Sequence, residues 1–163
     1  MKILSTISPV KFGGGERLLL DQAKIFKEKG IDYSIVCLSR SKEFENFLEK
    51  EKIKFYNVSN IEFKQTPTKK EYLFLFFKLL PSTFKLRKII QKENPDILIS
   101  NGFPSVFLVI LAILGLRLKS KIFYVHHFLK SKENFLIRKI YLWFLKKYKK
   151  IIAVSSLTEQ TLK

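Results

Sequence analysis

Three consecutive glycines, Gly13, Gly14 and Gly15, stand near the start of the chain and are followed by Glu16 and Arg17. Because glycine carries no side chain, backbone amides here can approach a ligand closely, and a helix that begins at this point favours anions. The spacing is not the G-x-G-x-x-G dinucleotide fingerprint, and no Gly-Lys-Ser/Thr follows to make a P-loop. The segment therefore predicts either an anion-binding helix start or a flexible turn that needs positive φ.

Two further polar segments follow short apolar runs. Asn101 and Gly102 come after the run 97–99, where the Asn101 amide can hydrogen-bond a hydroxyl, or Asn-Gly can simply build a turn. Ser155 follows the run 151–154 and is interpreted first as a helix cap. Asn101, Gly102 and Ser155 are all candidate substrate-binding residues.

His126 and His127 are the only two histidines of the chain. Adjacent residues at the end of a strand point in opposite directions, so one of them can face a cleft while the other packs outward. Since no Asp, Glu or Cys stands at ligand spacing, no metal site is predicted. A single histidine in a sugar or phosphate cleft is the functional interpretation, and two ordinary loop histidines are the alternative.

A strongly basic segment lies between residues 129 and 150. It holds eight Lys or Arg against one acid, Glu133, and they are interleaved with aromatic residues such as Trp143. Such a helix can lie on an anionic bilayer, it can bind nucleic acid, or it can be a core-facing aromatic stripe with a solvated basic face. The lysines chosen for a membrane contact are Lys139, Lys146 and Lys147.

Composition limits what these residues can belong to. The chain has 163 residues, a formal net charge of +17 (31 basic against 14 acidic residues) and 47% hydrophobic residues, which predicts one folded, very basic domain over residues 1–163. A single cysteine, Cys37, rules out a disulfide framework and a cysteine-based zinc cluster and is expected to be a buried, inert thiol. No signal-peptide core or spanning helix is expected, so the predicted location is cytoplasmic, with a peripheral place at the inner face of the membrane.

Strand-like runs alternate with helical patterns along the whole chain. This alternation predicts a Rossmann-like α/β/α sandwich with a mainly parallel sheet of about six strands in the order 3-2-1-4-5-6. Ligands then bind at the carboxyl ends of the strands, where the order reverses. The predicted strands are 2–7, 33–38, 53–58, 96–100, 121–125 and 151–154, and the predicted helices are 16–29, 42–52, 70–93 (interrupted at Pro81), 103–116, 132–148 and 155–163.

Four segments together resemble the family 4 (group 1) glycosyltransferases of the GT-B fold. Gly13–Arg17 is similar to the family's GG-x-E-R start, and residues 94–98 are similar to its x-P-D-hydrophobic start of strand four. Residues 125–128 are similar to the family's H-D/N-F end of strand five, which makes His126 the matching histidine. Residues 151–155 are similar to the family's hydrophobic-A-V-S strand. The departures are His127, where the family usually has Asp or Asn, and the absence of the histidine that many members have near Asn101.

The resemblance implies the N-terminal, acceptor-binding half of a two-domain enzyme, without the C-terminal donor-binding half. The whole enzyme would transfer a sugar from a nucleotide-diphosphate donor to a glycan or lipid-linked acceptor, as in polysaccharide biosynthesis. It would retain the anomeric configuration without a required cofactor or metal. His126 would contact the transferred sugar as the catalytic residue, the amides of Gly14 and Gly15 would approach phosphate or acceptor, and the 163 residues alone would be inactive.

Two alternatives come from other classes. A non-enzymatic basic domain could bind nucleic acid or anionic membrane, although no nucleic-acid motif is recognised and no nucleic-acid partner is expected. A dinucleotide-binding Rossmann domain is disfavoured because the fingerprint is absent and Ser39-Arg40, rather than an acid, ends the second strand.

Overall fold

Six parallel strands form one sheet in the order β3-β2-β1-β4-β5-β6, as the sequence predicts. The structure is a computed structural model and describes residues 1–9, 12–62, 74, 77–126 and 135–154. The strands are β1 (Lys2–Ile7), β2 (Asp32–Cys37), β3 (Lys54–Asn57), β4 (Ile97–Asn101), β5 (Lys121–His126) and β6 (Lys150–Ala153). The two four-residue strands, β3 and β6, form the edges of the sheet.

Five helices within the described residues connect the strands. They are α1 (Gly14–Glu28), α2 (Lys42–Lys50), α3 (Ser82–Glu93), α4 (Phe103–Ile113) and α5 (Phe135–Leu145). Pro81 directly precedes α3, so the predicted interruption is confirmed. The predicted helix 155–163 and residues 70–73 of the predicted helix 70–93 lie outside the described residues.

Both faces of the sheet are covered, which explains the continuously apolar inner strands. On one face α1 and α2 pack over β1 and β2 around Leu19, Ile35 and Phe44. On the other face α3 and α4 enclose Leu86, Leu98 and Leu108. A third apolar cluster joins α4 and α5 to β5.

Helix ends explain most of the differences from the predicted boundaries. The first helix begins at Gly14, two residues before the predicted start, because Glu16 closes its first turn. The second helix ends at Lys50, and Lys52 then takes a φ of 54°. Gly30 takes a φ of 65°, which permits the sharp turn from α1 into β2.

Among the described residues, no helix is long and apolar enough to cross a membrane.

Candidate functional site

The carboxyl ends of β1, β4 and β5 lie side by side. Asn101, the last residue of β4, is the register partner of Ile7 on one side and of Val125 on the other. Between β1 and β4 the strand order reverses, and in open α/β sheets ligands bind at this point. The segments that follow these strands hold Gly13–Arg17, Asn101–Gly102 and His126, so the fold brings three of the predicted site segments to one edge.

The glycine segment opens α1 without any positive φ. Gly13 is extended, with φ −139°, and the glycines with positive φ among the described residues are Gly30, Gly102 and Gly115. The alternative of a turn that needs positive φ is therefore wrong for Gly13, Gly14 and Gly15. A Cβ added at Gly14 would meet no heavy atom within 4 Å, which means that there is open space beside this residue.

Glu16 helps to hold this helix start. Its carboxylate accepts a hydrogen bond from the amide of Gly13 at 3.1 Å, and its side chain is buried. This is the Glu half of a capping box, which satisfies a backbone donor at the helix terminus. Arg17, one residue later, is exposed on the first turn. Glu16 thus has a structural part besides the binding role predicted for it, whereas the Arg17 guanidinium extends from the protein next to the glycines.

Two contacts fix the chain around the glycine segment. The ring of Phe12 stacks on Phe47 of α2, with ring centroids 4.4 Å apart. The Ser39 hydroxyl, just after β2, donates to the carbonyl of Pro9 at 2.8 Å. Because both contacts join the segment to the scaffold, the first turn of α1 is held in place before any ligand arrives.

Arg40 follows β2, near the position at which a dinucleotide-binding domain carries an acidic residue. Its guanidinium donates to both carboxylate oxygens of Glu45, at 3.2 Å from Nε and 2.8 Å from Nη2. The hydrogen bond from Arg40 lowers the pKa of the Glu45 carboxyl, against the effect of burial. The bidentate ion pair between Arg40 and Glu45 is therefore structural.

Asn101 ties the two strands of the switch point together. Its Nδ2 donates to the carbonyl of Thr6 at 3.1 Å, and its own carbonyl accepts from the Ser105 hydroxyl at 2.8 Å. Gly102 follows with φ 77° and ψ 170°, a conformation that favours glycine, and serves as the N-cap of α4. The turn is built by Gly102, whereas the Asn101 side chain is buried and bonds to the backbone of β1, so its predicted contact with a ligand hydroxyl stays a prediction.

His126 is the last residue of β5 and is only 6% exposed. Its Nδ1 lies 3.0 Å from the hydroxyl of Tyr124 and 3.2 Å from the hydroxyl of Tyr141 on α5. Tyr141 also donates to the Tyr124 hydroxyl at 2.8 Å. The histidine predicted to face the cleft is therefore held on one side of its ring by a buried pair of tyrosines.

A third tyrosine, Tyr148, makes separate hydrogen bonds in the same cluster. The Tyr148 hydroxyl lies 2.8 Å from that of Ser100 and donates to the carbonyl of Val106. Burial raises the pKa of the Tyr148 phenol well above its ordinary value, and the hydrogen bond with Ser100 opposes the rise. Tyr148 stays neutral and joins the end of α5 to β4 and α4.

The tyrosines and Ser100 were not among the predicted site residues. Tyr124 is two positions before His126, so the strand period alone places it on the same face of the sheet. Tyr141 and Tyr148 are seven residues apart, which places them on one face of a helical segment. No sequence signal shows that this face meets β5, because that contact is set by tertiary packing.

Other predicted residues divide between the surface and the undescribed part of the chain. Lys139, Lys146 and Lys147 are exposed in and just after α5, and the Lys147 ammonium lies 5.2 Å from the ring centroid of Trp143. His127 and Ser155 lie outside the described residues. Within the described chain, no group of three or more His, Cys, Asp or Glu side chains is placed to hold a metal ion.

A family model matches almost the whole chain. The model described as Glycosyltransferase Family 4 matches residues 12–163. The chain belongs to glycosyltransferase family 4. The resemblance seen in its four sequence motifs is thereby confirmed. No curated protein sequence matches this family 4 chain at a significant level.

Solved structures share the fold of this family 4 chain. A glycosyltransferase from Rickettsia africae ESF-5 aligns over 99% of the chain with a TM-score of 0.70 and 24% identity, and the alignment covers 38% of that protein. The lipopolysaccharide outer core galactosyltransferase WaaB aligns over 99% with a TM-score of 0.71, 20% identity and 42% of its length. A UDP-GlcNAc 2-epimerase from Methanocaldococcus jannaschii aligns over 99% with a TM-score of 0.62, 16% identity and 42% of its length.

The chain thus spans about two fifths of the length of the solved structures that it matches. Because the epimerase shares the fold with the transferases, the fold by itself does not decide the reaction.

Proposed function

We propose that this chain is the N-terminal, acceptor-binding domain of a retaining glycosyltransferase. The enzyme transfers a sugar from a nucleotide-diphosphate donor to a glycan or lipid-linked acceptor. The family supports sugar transfer in general. The observation that carries the site assignment is the open first turn of α1, where glycines with ordinary φ leave the amides accessible at the carboxyl edge of the sheet.

Each site element has one task in this proposal. The first-turn amides at Gly14 and Gly15 bind phosphate or acceptor oxygens, because the unpaired N–H groups and the helix dipole favour negative charge. Arg17 adds a positive charge beside them. His126 contacts the transferred sugar, and Asn101 fixes the edge of the cleft. Catalysis then depends on positioning and on stabilising the departing diphosphate, which the donor-binding half would hold.

The test is sugar transfer by the protein as its gene encodes it. A panel of nucleotide-diphosphate sugars is offered with glycan and lipid-linked acceptors, and release of nucleoside diphosphate is measured. Proton NMR of the product gives its anomeric configuration, and an excess of EDTA is added to a parallel reaction. We expect retention and undiminished transfer in EDTA.

An inverted product would contradict the retaining mechanism, and loss of transfer in EDTA would contradict independence from metal. Conversion of the nucleotide sugar without an acceptor would favour an epimerase over a transferase. The variant His126→Ala is expected to lower kcat/KM by about 10²-fold, and unchanged transfer would remove His126 from the proposed site.

We also propose that the end of α5 contacts an anionic membrane surface, where a lipid-linked acceptor would be found. Lys139, Leu142, Trp143, Lys146 and Lys147 recur at helical spacing and all are exposed, with Trp143 at 56%. An exposed tryptophan between lysines suits the headgroup region, because the ring enters the interface while the ammonium groups meet anionic lipid. The surface proposed for this contact is the inner face of the cytoplasmic membrane.

Vesicle flotation tests the contact. Vesicles with and without anionic lipid are mixed with the protein and with the variant that carries Lys139→Glu, Lys146→Glu and Lys147→Glu. We expect binding to anionic vesicles only, and its loss in the variant. The matched control carries Lys27→Glu, Lys29→Glu and Lys50→Glu, which make the same charge change on exposed lysines at α1 and α2 on the opposite face.

Equal loss of vesicle binding in both triple variants would show a general effect of net charge and contradict a local contact. Tight, salt-sensitive binding of duplex DNA by the protein, abolished by the α5 variant alone, would instead favour a nucleic-acid partner.

A further inference from the structure

The side chains behind His126 form a directional chain of hydrogen bonds. Tyr141 on α5 donates its hydroxyl proton to the oxygen of Tyr124 at 2.8 Å. The Tyr124 hydroxyl lies 3.0 Å from His126 Nδ1 and the Tyr141 hydroxyl lies 3.2 Å from the same atom, so a phenol proton can be donated there. When a hydroxyl accepts one hydrogen bond, it becomes a better donor for the next, so the two bonds strengthen each other.

Burial keeps this arrangement in place. Tyr124 is fully buried and Tyr141 is 7% exposed, and both belong to the apolar cluster between α4, α5 and β5. Their rings meet edge to face, with centroids 6.3 Å apart. Buried phenol hydroxyls need hydrogen-bond partners, and His126 supplies an acceptor for this pair.

We propose that Tyr124 and Tyr141 are positioning residues that fix His126 in the tautomer with its proton on Nε2. A neutral imidazole has one donor and one acceptor nitrogen, so a proton donated to Nδ1 leaves Nε2–H as the donor. In the sugar contact proposed for His126, the hydrogen bond to an oxygen of the transferred sugar comes from this Nε2–H. The inference rests on the proposed function only for the identity of that oxygen.

The tautomer is measured by ¹⁵N NMR of the imidazole in the histidine-labelled chain. Since the chain has only two histidines, the signals that remain in His127→Gln belong to His126. We expect His126 to show an unprotonated Nδ1 and a protonated Nε2. In Tyr124→Phe the nearer hydroxyl is lost and only that of Tyr141, 3.2 Å from Nδ1, remains, so the tautomers should mix. In Tyr141→Phe the relay to Tyr124 and the longer contact with Nδ1 are lost but the nearer Tyr124 hydroxyl stays, so a smaller change in the same direction is expected.

Tyr148→Phe is the matched control. Its ring lies 5.8 Å from that of Tyr124 in the same cluster, but its hydroxyl contacts Ser100 and Val106. It removes one buried hydroxyl, as the other variants do, and should leave the His126 tautomer unchanged. The milder Tyr141→Phe keeps the test decisive if Tyr124→Phe does not fold, and circular dichroism checks the fold of each variant.

A protonated Nδ1 in the unaltered chain would overturn the inference. So would a tautomer that stays unchanged in both Tyr124→Phe and Tyr141→Phe, and so would an equal change in Tyr148→Phe. The measurement needs no substrate and is therefore separate from the proposed function, which fails instead if the protein as its gene encodes it transfers no sugar.

Discussion

At Gly14 a side chain should change ligand binding without harming the fold. A Cβ there meets open space, the φ is ordinary, and the residue starts α1. Gly14→Ala should therefore leave the free energy of unfolding unchanged or raise it by at most about 1 kcal/mol. The methyl group would stand over the first-turn amides, so kcat/KM for sugar transfer should fall about tenfold or more, which corresponds to about 1.4 kcal/mol.

Gly30 is the matched contrast, because its added Cβ also meets no atom but its φ is 65°. Gly30→Ala should lower the free energy of unfolding by about 1–2 kcal/mol, since L side chains are strained in this conformation, and should leave kcat/KM unchanged. Urea unfolding and steady-state kinetics measure both effects. A Gly14→Ala enzyme with normal kinetics would remove the first turn from the binding site.

Cys37 illustrates what sequence can predict at the scale of single residues. It lies buried at the end of β2, as its apolar neighbours predict. Burial raises the pKa of its thiol to about 12, with Glu45 and Glu16 adding to the rise. The position of Cys37 follows from local pattern. The hydrogen bonds of His126 do not, because Tyr141 comes from an element fifteen residues further along the chain.

Among the elements, α3 is tied to the sheet by one buried carboxylate. Glu93, at its end, accepts hydrogen bonds from Lys54 at 2.9 Å and from the hydroxyl of Tyr56, both on β3. The ammonium of Lys2 on β1 lies 3.5 Å away. Burial opposes ionisation, but these partners outweigh it and lower the pKa of Glu93 to about 2.

A carboxyl whose pKa is lowered by folding stabilises the protein at pH values above its ordinary pKa. It loses that contribution as the pH falls and the carboxylate binds a proton. Stability from Glu93 should therefore be complete above pH 4.5 and disappear as the pH falls towards 2. Glu93→Gln should lower the free energy of unfolding at pH 7 by about 1–3 kcal/mol, and the difference from the unaltered chain should shrink in acid.

Urea unfolding across this pH range measures the effect. Asp32→Asn is the control, because Asp32 pairs with Lys2 at 3.5 Å but is half exposed, and exposed pairs contribute about 0–1 kcal/mol. A Glu93→Gln difference that is as large at pH 2 as at pH 7 would contradict the assignment.

Most elements were predictable, and the reasons can be named. The apolar run 2–7, the stop at Gly30 and the break at Pro81 are local signals, and the structure has them where the sequence indicates. Alternation of strands and helices, with right-handed crossovers, was enough to predict the strand order. The start of α1 was predicted two residues late because the capping role of Glu16 was not recognised.

On the scale of the whole molecule, the proposed function makes this domain one of the two parts that sugar transfer needs. Its solved structural relatives are more than twice as long, with 38–42% of their length covered. We expect the 163 residues alone to transfer no sugar, because under the proposed function they form the acceptor-binding half of a two-domain cleft. The same panel of nucleotide sugars tests this, and measurable transfer by residues 1–163 would contradict it.

The lysines that contribute to the net charge of +17 lie in different environments. Lys139, Lys146 and Lys147 form the proposed membrane face, while Lys54 and Lys2 serve the Glu93 cluster inside the fold. Composition alone predicts an anionic partner, but it cannot separate lysines that stabilise the protein from those that are available to a ligand.

The two short edge strands have a consequence for solubility. An exposed sheet edge offers unpaired backbone groups to any other chain, and proteins that leave it long and apolar aggregate. Here β3 and β6 have four residues each, and each begins with a lysine, Lys54 and Lys150. Short edge strands and the lysines on them disfavour pairing with another chain. Part of the positive charge thus protects this domain against edge-to-edge polymerisation.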